Sequence, residues 1–239
     1  MRVIDVMSTN VLSVSPDTKA KDAIQKMIFN NVRRLVVGND SIVTIRDLVY
    51  NWDKLDQEVG KLASKDLFFI SPEADLKEAC RIITAKGVGS LLVGDGVRIQ
   101  GIITERDLIR HCRVEANGNV GDIMNVDPII SSQDATLDEI VQFMKEKYKR
   151  HAVVIEESLP VGVISVRDIA RPLASGRDIR KIKAKDVMTV SVYKVTPDSS
   201  IETARFLMAE KNIGYLPVVD ARSLLGDVSE REILAVLSI

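Results

Sequence analysis

Apolar residues recur at intervals of three and four in four separate stretches of the chain. They fall at Ala20, Ala23, Ile24 and Met27, at Leu76, Ala79, Cys80 and Ile83, and at Leu137, Ile140, Val141 and Met144. A fourth stretch keeps Ile201, Ala204 and Met208 but places Arg205 on the stripe. This spacing puts each set on one face of a helix. The helices share a lead-in as well: SVSPDTKAKDAIQKM at 13–27, FISPEADLKEACRII at 69–83, ISSQDATLDEIVQFM at 130–144 and KVTPDSSIETARFLM at 194–208. Short β-rich runs follow at 35–37, 91–93, 152–155 and 216–219, the first two ending in turn residues such as Gly38-Asn39-Asp40 and Gly94-Asp95-Gly96. Such runs read as one arm of a hairpin.

A second phrase closes each copy: Thr44-Ile45-Arg46-Asp47, Thr104-Glu105-Arg106-Asp107, Ser165-Val166-Arg167-Asp168 and Ser229-Glu230-Arg231-Glu232. Its hydroxyl residues stand 60, 61 and 64 residues apart in a chain of 239, so four repeats fill the length. A Gly precedes the phrase at Gly101, Gly162 and Gly226, whereas the first copy has Ser41. Each repeat is therefore predicted as strand, helix, strand, strand, helix, an α/β (α+β) unit, with boundaries at 1–57, 58–115, 116–175 and 176–239. A unit this small buries little surface alone, so repeats should pack in pairs. The polar stretch RVEANGNV at 113–120 is the strongest break near the middle. It favours modules of 1–115 and 116–239, with 51–58 and 172–183 as connectors.

Composition narrows the chemistry. Hydrophobic content of 46% with 28% charged residues describes a folded chain, and 33 basic against 34 acidic side chains leave no general field for nucleic acid or an anionic membrane. Ten aromatic residues are too few for a stacking surface along a single strand. No apolar run approaches the roughly 20 residues of a membrane helix, and the opening MRVIDVMSTN has no signal-like apolar core. Two cysteines without CxxC spacing argue against a disulfide framework or a zinc site, and a reducing cytoplasm is the expected location. His111 and His151 are the only histidines and no catalytic constellation accompanies them, so neither catalytic nor metal-ligating residues are expected.

The closing phrase admits two readings. Thr or Ser followed three residues later by Asp or Glu is a capping box that starts a helix. The same hydroxyl beside a helix N-terminus can hold a phosphate, while the carboxylate one turn on accepts ribose hydroxyls. A second set of residues lies just before the hairpin. Repeat 1 has Arg33-Arg34 and repeat 3 has Arg150-His151, whereas repeats 2 and 4 have Gly89-Ser90 and Gly214-Tyr215. These cations either complement a helix C-terminus or bind phosphate. Arg46, Arg106, Arg167 and Arg231 occur in every copy, which points to pairing between parts of the fold.

The four units, the openings Asp5-Val6-Met7, Asp122-Ile123-Met124 and Asp186-Val187-Met188, the strand at 216–220 and GIITERDL at 101–108 resemble the cystathionine β-synthase (CBS) domain family. The resemblance covers essentially the whole chain. It implies two Bateman modules whose clefts take adenine nucleotides or related adenosyl ligands. Carried over by position, Asp47, Asp107 and Asp168 are the implied ribose ligands, with Thr44, Thr104, Ser165 and Ser229 beside phosphate. Glu232 takes the fourth ribose position, where its extra methylene displaces the carboxylate. Arg33, Arg34, Arg150 and His151 are the implied phosphate cations. The expected ligand is AMP, ADP or ATP, with no catalytic cofactor, and the expected role is a non-catalytic sensor that acts on a protein partner and can pair as a homodimer. An assembly adaptor with empty clefts and a binder of S-adenosylmethionine are the rival readings.

Overall fold

A computed structural model describes residues 1–113 and 118–238. Repeat 1 runs through β1 (Ser13–Val14), α1 (Ala20–Phe29), β2 (Arg34–Val37), β3 (Ser41–Thr44) and α2 (Ile45–Tyr50). Repeat 2 has β4 (Phe69–Ile70), α3 (Leu76–Lys86), β5 (Ser90–Gly94), β6 (Ile99–Thr104) and α4 (Glu105–His111). A short helix, α5 (Val120–Ile123), opens repeat 3, followed by β7 (Ile130–Ser131), α6 (Leu137–Glu146), β8 (His151–Glu156), β9 (Leu159–Ser165) and α7 (Val166–Ala174). Repeat 4 contributes α8 (Ile201–Lys211), β10 (Tyr215–Val219), β11 (Leu224–Ser229) and α9 (Glu230–Leu237). The mixed α/β architecture in four repeats is the expected one.

In the first three repeats the entering strand pairs in parallel with the first hairpin strand, and the helix between them supplies the crossover. The hairpin strands pair antiparallel in all four repeats. Repeat 4 departs from the expected pattern, its entering strand reduced to a single bridge between Val195 and Val218. Proline explains the loss. Val36, Leu92 and Val153 donate their N–H groups to the carbonyls of Leu12, Phe68 and Ile129, but Pro217 stands at that rung and has no N–H to give.

The predicted stripes are buried on all four long helices. Arg205 is buried with them, and two of its nitrogens reach the Glu202 carboxylate at 2.7 and 2.6 Å. A third nitrogen donates to the Ile109 carbonyl. This arrangement replaces the missing apolar contact with a satisfied charge.

The chain folds into two compact units that it enters alternately. One comprises Leu12–Leu67 and Pro128–Val192, the other Met1–Val11, Phe68–Asp127 and Tyr193–Ile239. In the first, α1 and α2 pack on α7, α2 also meets α6, and one apolar core runs from Ala20 and Leu48 to Leu137 and Ile169. In the second, α3 packs on α9 and α4 on α8 and α9, around a core that includes Ile83, Leu108, Met208 and Ile233. Neither apolar core is confined to 1–115 or to 116–239. Each closing helix buries its apolar face on helices two repeats away, so repeat 1 shares its core with repeat 3 and repeat 2 with repeat 4. Residues 114–117 of the predicted linker, and with them the boundary at 115/116, lie outside the described residues.

The segments that open the repeats are exchanged between neighbours. Val3 donates to Ala74 of repeat 2 at 2.8 Å, and Val59 donates to Thr18 of repeat 1 at 2.7 Å. Val120 likewise reaches Ser199 of repeat 4, and Ala184 reaches Ala135 of repeat 3, both at 2.8 Å. All four anchors are fully buried, which for a valine is worth about 1.5–3 kcal/mol. Further along, Ser8 pairs with Ile102, Ser64 with Ile42, Asn125 with Asp227 and Thr189 with Val163. This exchange explains two sequence irregularities as one. A Cβ on Gly101 would lie 2.6 Å from Met7 Sδ and 2.8 Å from the Ser8 carbonyl, so glycine is required there. The opening that crosses repeat 1 carries Ala63 in place of the methionine, and there the strand has Ser41 in place of the glycine.

Candidate functional site

Each closing phrase sits where the second hairpin strand turns into the closing helix. Thr44, Thr104, Ser165 and Ser229 are the N-cap residues of α2, α4, α7 and α9. In the first three copies one carboxylate oxygen takes two bonds from its own cap. Asp47 Oδ2 accepts from the Thr44 N–H at 2.8 Å and its hydroxyl at 2.7 Å. Asp107 does so from Thr104 at 2.9 and 2.7 Å, and Asp168 from Ser165 at the same two distances. The returning bond, from the Asp N–H to the hydroxyl oxygen, is longer, at 3.3 to 3.4 Å. The capping box is therefore real in each.

This geometry defines what remains for a ligand. No described group donates to Oδ1 of Asp107. Oδ1 of Asp47 has only the Arg46 guanidinium at 3.9 Å, and Oδ1 of Asp168 has Arg171 at 3.6 Å. These outer oxygens can accept ribose hydroxyls while the inner oxygens keep the helix capped. The cap hydroxyls are committed differently, since each spends its single proton on the carboxylate. A phosphate would receive that proton only after the hydroxyl rotates, exchanging one charge-assisted bond for another. In repeat 4 the carboxylate of Glu232 accepts from Ser229 at 2.7 and 2.6 Å, but Ser229 Oγ receives the N–H of Arg231 at 3.3 Å, one residue earlier than in the other copies.

The hairpin register brings the second predicted set to the same place. Arg34 is the cross-strand partner of Thr44, and His151 is that of Ser165. The carbonyls of Arg33 and Arg150 accept the N–H of Ile45 and Val166, the first residues of α2 and α7, at 2.8 and 2.9 Å. Both basic pairs are half-buried, and both lie in the unit formed by repeats 1 and 3. Ser90 and Tyr215 hold the equivalent register positions against Thr104 and Ser229. Tyr215 is buried and donates to Asp227 at 3.0 Å, and burial followed by that carboxylate's charge pushes its phenol well up.

The repeated arginines explain the alternation. Arg46 donates to Tyr148 Oη at 2.7 Å and lies 4.2 Å above its ring, while Arg167 donates to Asn31 Oδ1. Arg106 bonds the Glu230 carboxylate and Asn212, and Arg231 reaches Glu105 at 3.4 Å and the Gly87 carbonyl at 3.0 Å. Asn31, Gly87, Tyr148 and Asn212 all have positive φ just past the end of a first helix, so each arginine clasps that turn in the repeat sharing its core. Glu105 and Glu230 are each only 2% exposed, and repeats 1 and 3 have Ile45 and Val166 at their place. A Cβ on Gly214 would come within 2.7 Å of the Glu230 carboxylate. The buried ion pair thus occupies, in repeat 4, the space where repeats 1 and 3 carry a basic side chain.

A cavity of about 430 Å³ lies beside β7 and α6, lined by Ile129, Ser131, Ala135, Glu139 and Phe143 among others, and none of the predicted ligand residues reaches it. Among the described residues no cluster of three or more His, Cys, Asp or Glu side chains could hold a metal ion. No described helix is long and apolar enough to cross a membrane.

Four repeats of a crossover helix, a hairpin and a capped closing helix, with a carboxylate at each cap, define a tandem repeat protein. The chain belongs to the CBS domain family, whose model matches residues 3–52, 59–113, 120–175 and 184–239. It is similar to the uncharacterized protein MJ1225 of Methanocaldococcus jannaschii, 24% identical over 98% of each chain. The crystal structure of that protein, described as a candidate archaeal homolog of g-AMPK, superposes with a TM-score of 0.85 over 98% of this chain and 99% of its own. An uncharacterized conserved protein of Pyrococcus horikoshii shares the fold at 19% identity and a TM-score of 0.68, over 99% of this chain and 100% of its own. The CBS domain-containing protein YhcV of Bacillus subtilis is 33% identical over 112 residues, 46% of this chain and 79% of its own.

Proposed function

We propose that this chain is a non-catalytic sensor of AMP, ADP or ATP, with repeats 1 and 2 (1–115) and repeats 3 and 4 (116–239) acting as two Bateman modules. Asp47, Asp107 and Asp168 hold ribose hydroxyls. Thr44, Thr104 and Ser165 face phosphate, and Arg33, Arg34, Arg150 and His151 supply its countercharge. Glu232 and Ser229 remain a cap. The observation that carries this reading is the division of labour in the carboxylates of Asp47, Asp107 and Asp168, one oxygen capping the helix and the other receiving no hydrogen bond from a described group. Glu232 divides its oxygens in the same way and differs in its extra methylene and in the Arg231 N–H on its cap hydroxyl. The register of Arg34 and His151 against the cap hydroxyls supports it. Bound nucleotide would shift the arrangement of the repeats, and a regulated protein partner or a second copy of the chain would read that shift.

The adaptor reading has one observation in its favour, because every cap hydroxyl is already satisfied within the protein. Thermal unfolding with AMP, ADP, ATP or S-adenosylmethionine separates the readings. A ligand at about 100 times its Kd stabilises the fold by about 2.7 kcal/mol. A shift with an adenine nucleotide supports the sensor, a shift with S-adenosylmethionine alone replaces its ligand, and none at millimolar concentration leaves the adaptor.

A further inference from the structure

Arg150 and His151, the basic pair of repeat 3, follow a turn that repeat 1 holds. The turn leaves α6 with the Lys149 N–H donating to the Met144 carbonyl at 2.8 Å, and Tyr148 within it has a positive φ. Tyr50 Oη lies within hydrogen-bond distance of both carbonyls at the neck of the turn, Met144 at 2.8 Å and Lys149 at 2.6 Å. The rings of Tyr50 and Tyr148 meet edge-on, with centroids 6.4 Å apart. Arg46, one turn before Tyr50 on the same face of α2, donates to Tyr148 Oη at 2.7 Å and covers its ring. The turn is therefore gripped by its side chain and by its backbone, in both cases from α2.

The make-up of the grip argues for a use beyond packing. The Arg46 side chain is only 15% exposed, and its Nε is buried without a hydrogen-bond partner. A guanidinium held in this way is costly to bury. A tie needed for stability alone would be made as well or better by an apolar side chain. The comparable clasp between repeats 2 and 4 leads to no cation, because Arg231 reaches the Gly87 carbonyl and Gly89-Ser90 follow.

We propose that Arg46 and Tyr50 are positioning residues, which from repeat 1 set the direction in which repeat 3 presents Arg150 and His151 to the phosphates of a bound nucleotide. Arg167 returns the service from repeat 3, since it bonds Asn31, two residues before Arg33. This inference rests on the assignment of the basic pairs to phosphate, and adds that neither pair is placed by its own repeat alone.

Calorimetric titration of the full-length protein with ATP, ADP and AMP in turn, at low and at moderate salt, tests it. Arg46→Met keeps a long side chain and removes the guanidinium, and Tyr50→Phe removes only the hydroxyl. Each is expected to weaken nucleotide binding by roughly twofold to thirtyfold. Each should also flatten the dependence of affinity on salt, because misdirected cations contribute less to an attraction that salt screens. Arg231→Met breaks a clasp with no cation behind it, and is expected to lower Tm while affinity and salt dependence stay at the parent's values. Equal losses of affinity in Arg46→Met and Arg231→Met, or a loss that keeps the parent's salt dependence, would mark general loosening and overturn the proposal. Unchanged binding in Arg46→Met or in Tyr50→Phe would overturn it too. A parent that binds none of the three nucleotides would remove the sensor reading itself, and this inference with it.

Discussion

Replacing Asp107 in two different ways separates its two roles. Oδ2 of Asp107 accepts from the Thr104 N–H at 2.9 Å and from its hydroxyl at 2.7 Å, and Oδ1 is left over. Asp107→Ala removes the cap acceptor and the outer oxygen together. Losing the cap costs about 0.5–2 kcal/mol, and in a chain of this size each kcal/mol lowers Tm by about 2–4 °C. Asp107→Asn keeps one oxygen, which the Thr104 N–H will claim, so the melting temperature should stay near that of the parent. The ribose then meets neither charge nor a free carbonyl. Loss of a charge-assisted bond of about 1.5–3 kcal/mol weakens binding by roughly tenfold to more than a hundredfold. Calorimetric titration with the nucleotide that stabilises the parent reads the affinity, and a thermal melt reads the cap. Should Asp107→Asn bind within about twofold of the parent while Asp107→Ala only melts lower, the carboxylate is a cap and the ribose assignment fails. Glu232→Ala supplies the comparison, with a lower melting temperature and unchanged affinity expected.

Gly101→Ser should destabilise the protein by about 1–3 kcal/mol by driving a side chain into Met7, and Met7→Ala should recover much of the loss, as urea unfolding of the single and double variants would show. Glu230→Gln takes the charge from a buried partner of Arg106 and should cost up to about 3–5 kcal/mol in the same assay, with the Asn212 bonds of Arg106 limiting the damage. Tyr50 donates to the carbonyls of Met144 and Lys149 at 2.8 and 2.6 Å, so Tyr50→Phe should cost about 1–3 kcal/mol. Burial pushes the Tyr50 phenol up to about 12 from an ordinary 10, so its contribution is complete below pH 10 and disappears as pH rises through about 12. An alkaline melt of Tyr50→Phe that fell as steeply as the parent's would show that another group governs the loss.

The repeats were legible because each carries its own local signals. Helical spacing located the four long helices, Arg205 excepted, and the hydroxyl and carboxylate three apart located the closing ones. What stayed hidden depends on contacts between distant segments. Nothing around Leu48 or Ile169 says that these two side chains share a core, because an apolar face does not name its partner. The partners of Arg46 and Arg231 are invisible for the same reason, although their recurrence signalled a pairing role. Ser41 stands in the sequence as a departure in the closing phrase, and only the exchanged openings tie it to Ala63, where the other openings have methionine. Pro217 is the exception, since a proline inside a predicted strand could have warned that the fourth entering strand would be cut short. The candidate ligand residues come from the repeated phrase and from the basic pairs ahead of the hairpin, with their roles implied by the family resemblance. The Gly214 vacancy filled by Glu230 was not.

The alternation of the chain between its two units sets the order in which it can mature on the ribosome. Residues 12–67 emerge early, yet the helices that complete their core follow only with 128–192. The intervening stretch 68–127 waits in turn for 193–239, so for most of synthesis every finished repeat presents an uncovered apolar face. At about 5–20 residues per second the first repeat stays open for on the order of ten seconds. A nascent chain stalled near residue 127 would carry two half-built cores and no complete one. Emergence of repeat 4, rather than completion of the first half, is therefore the event that closes the second core.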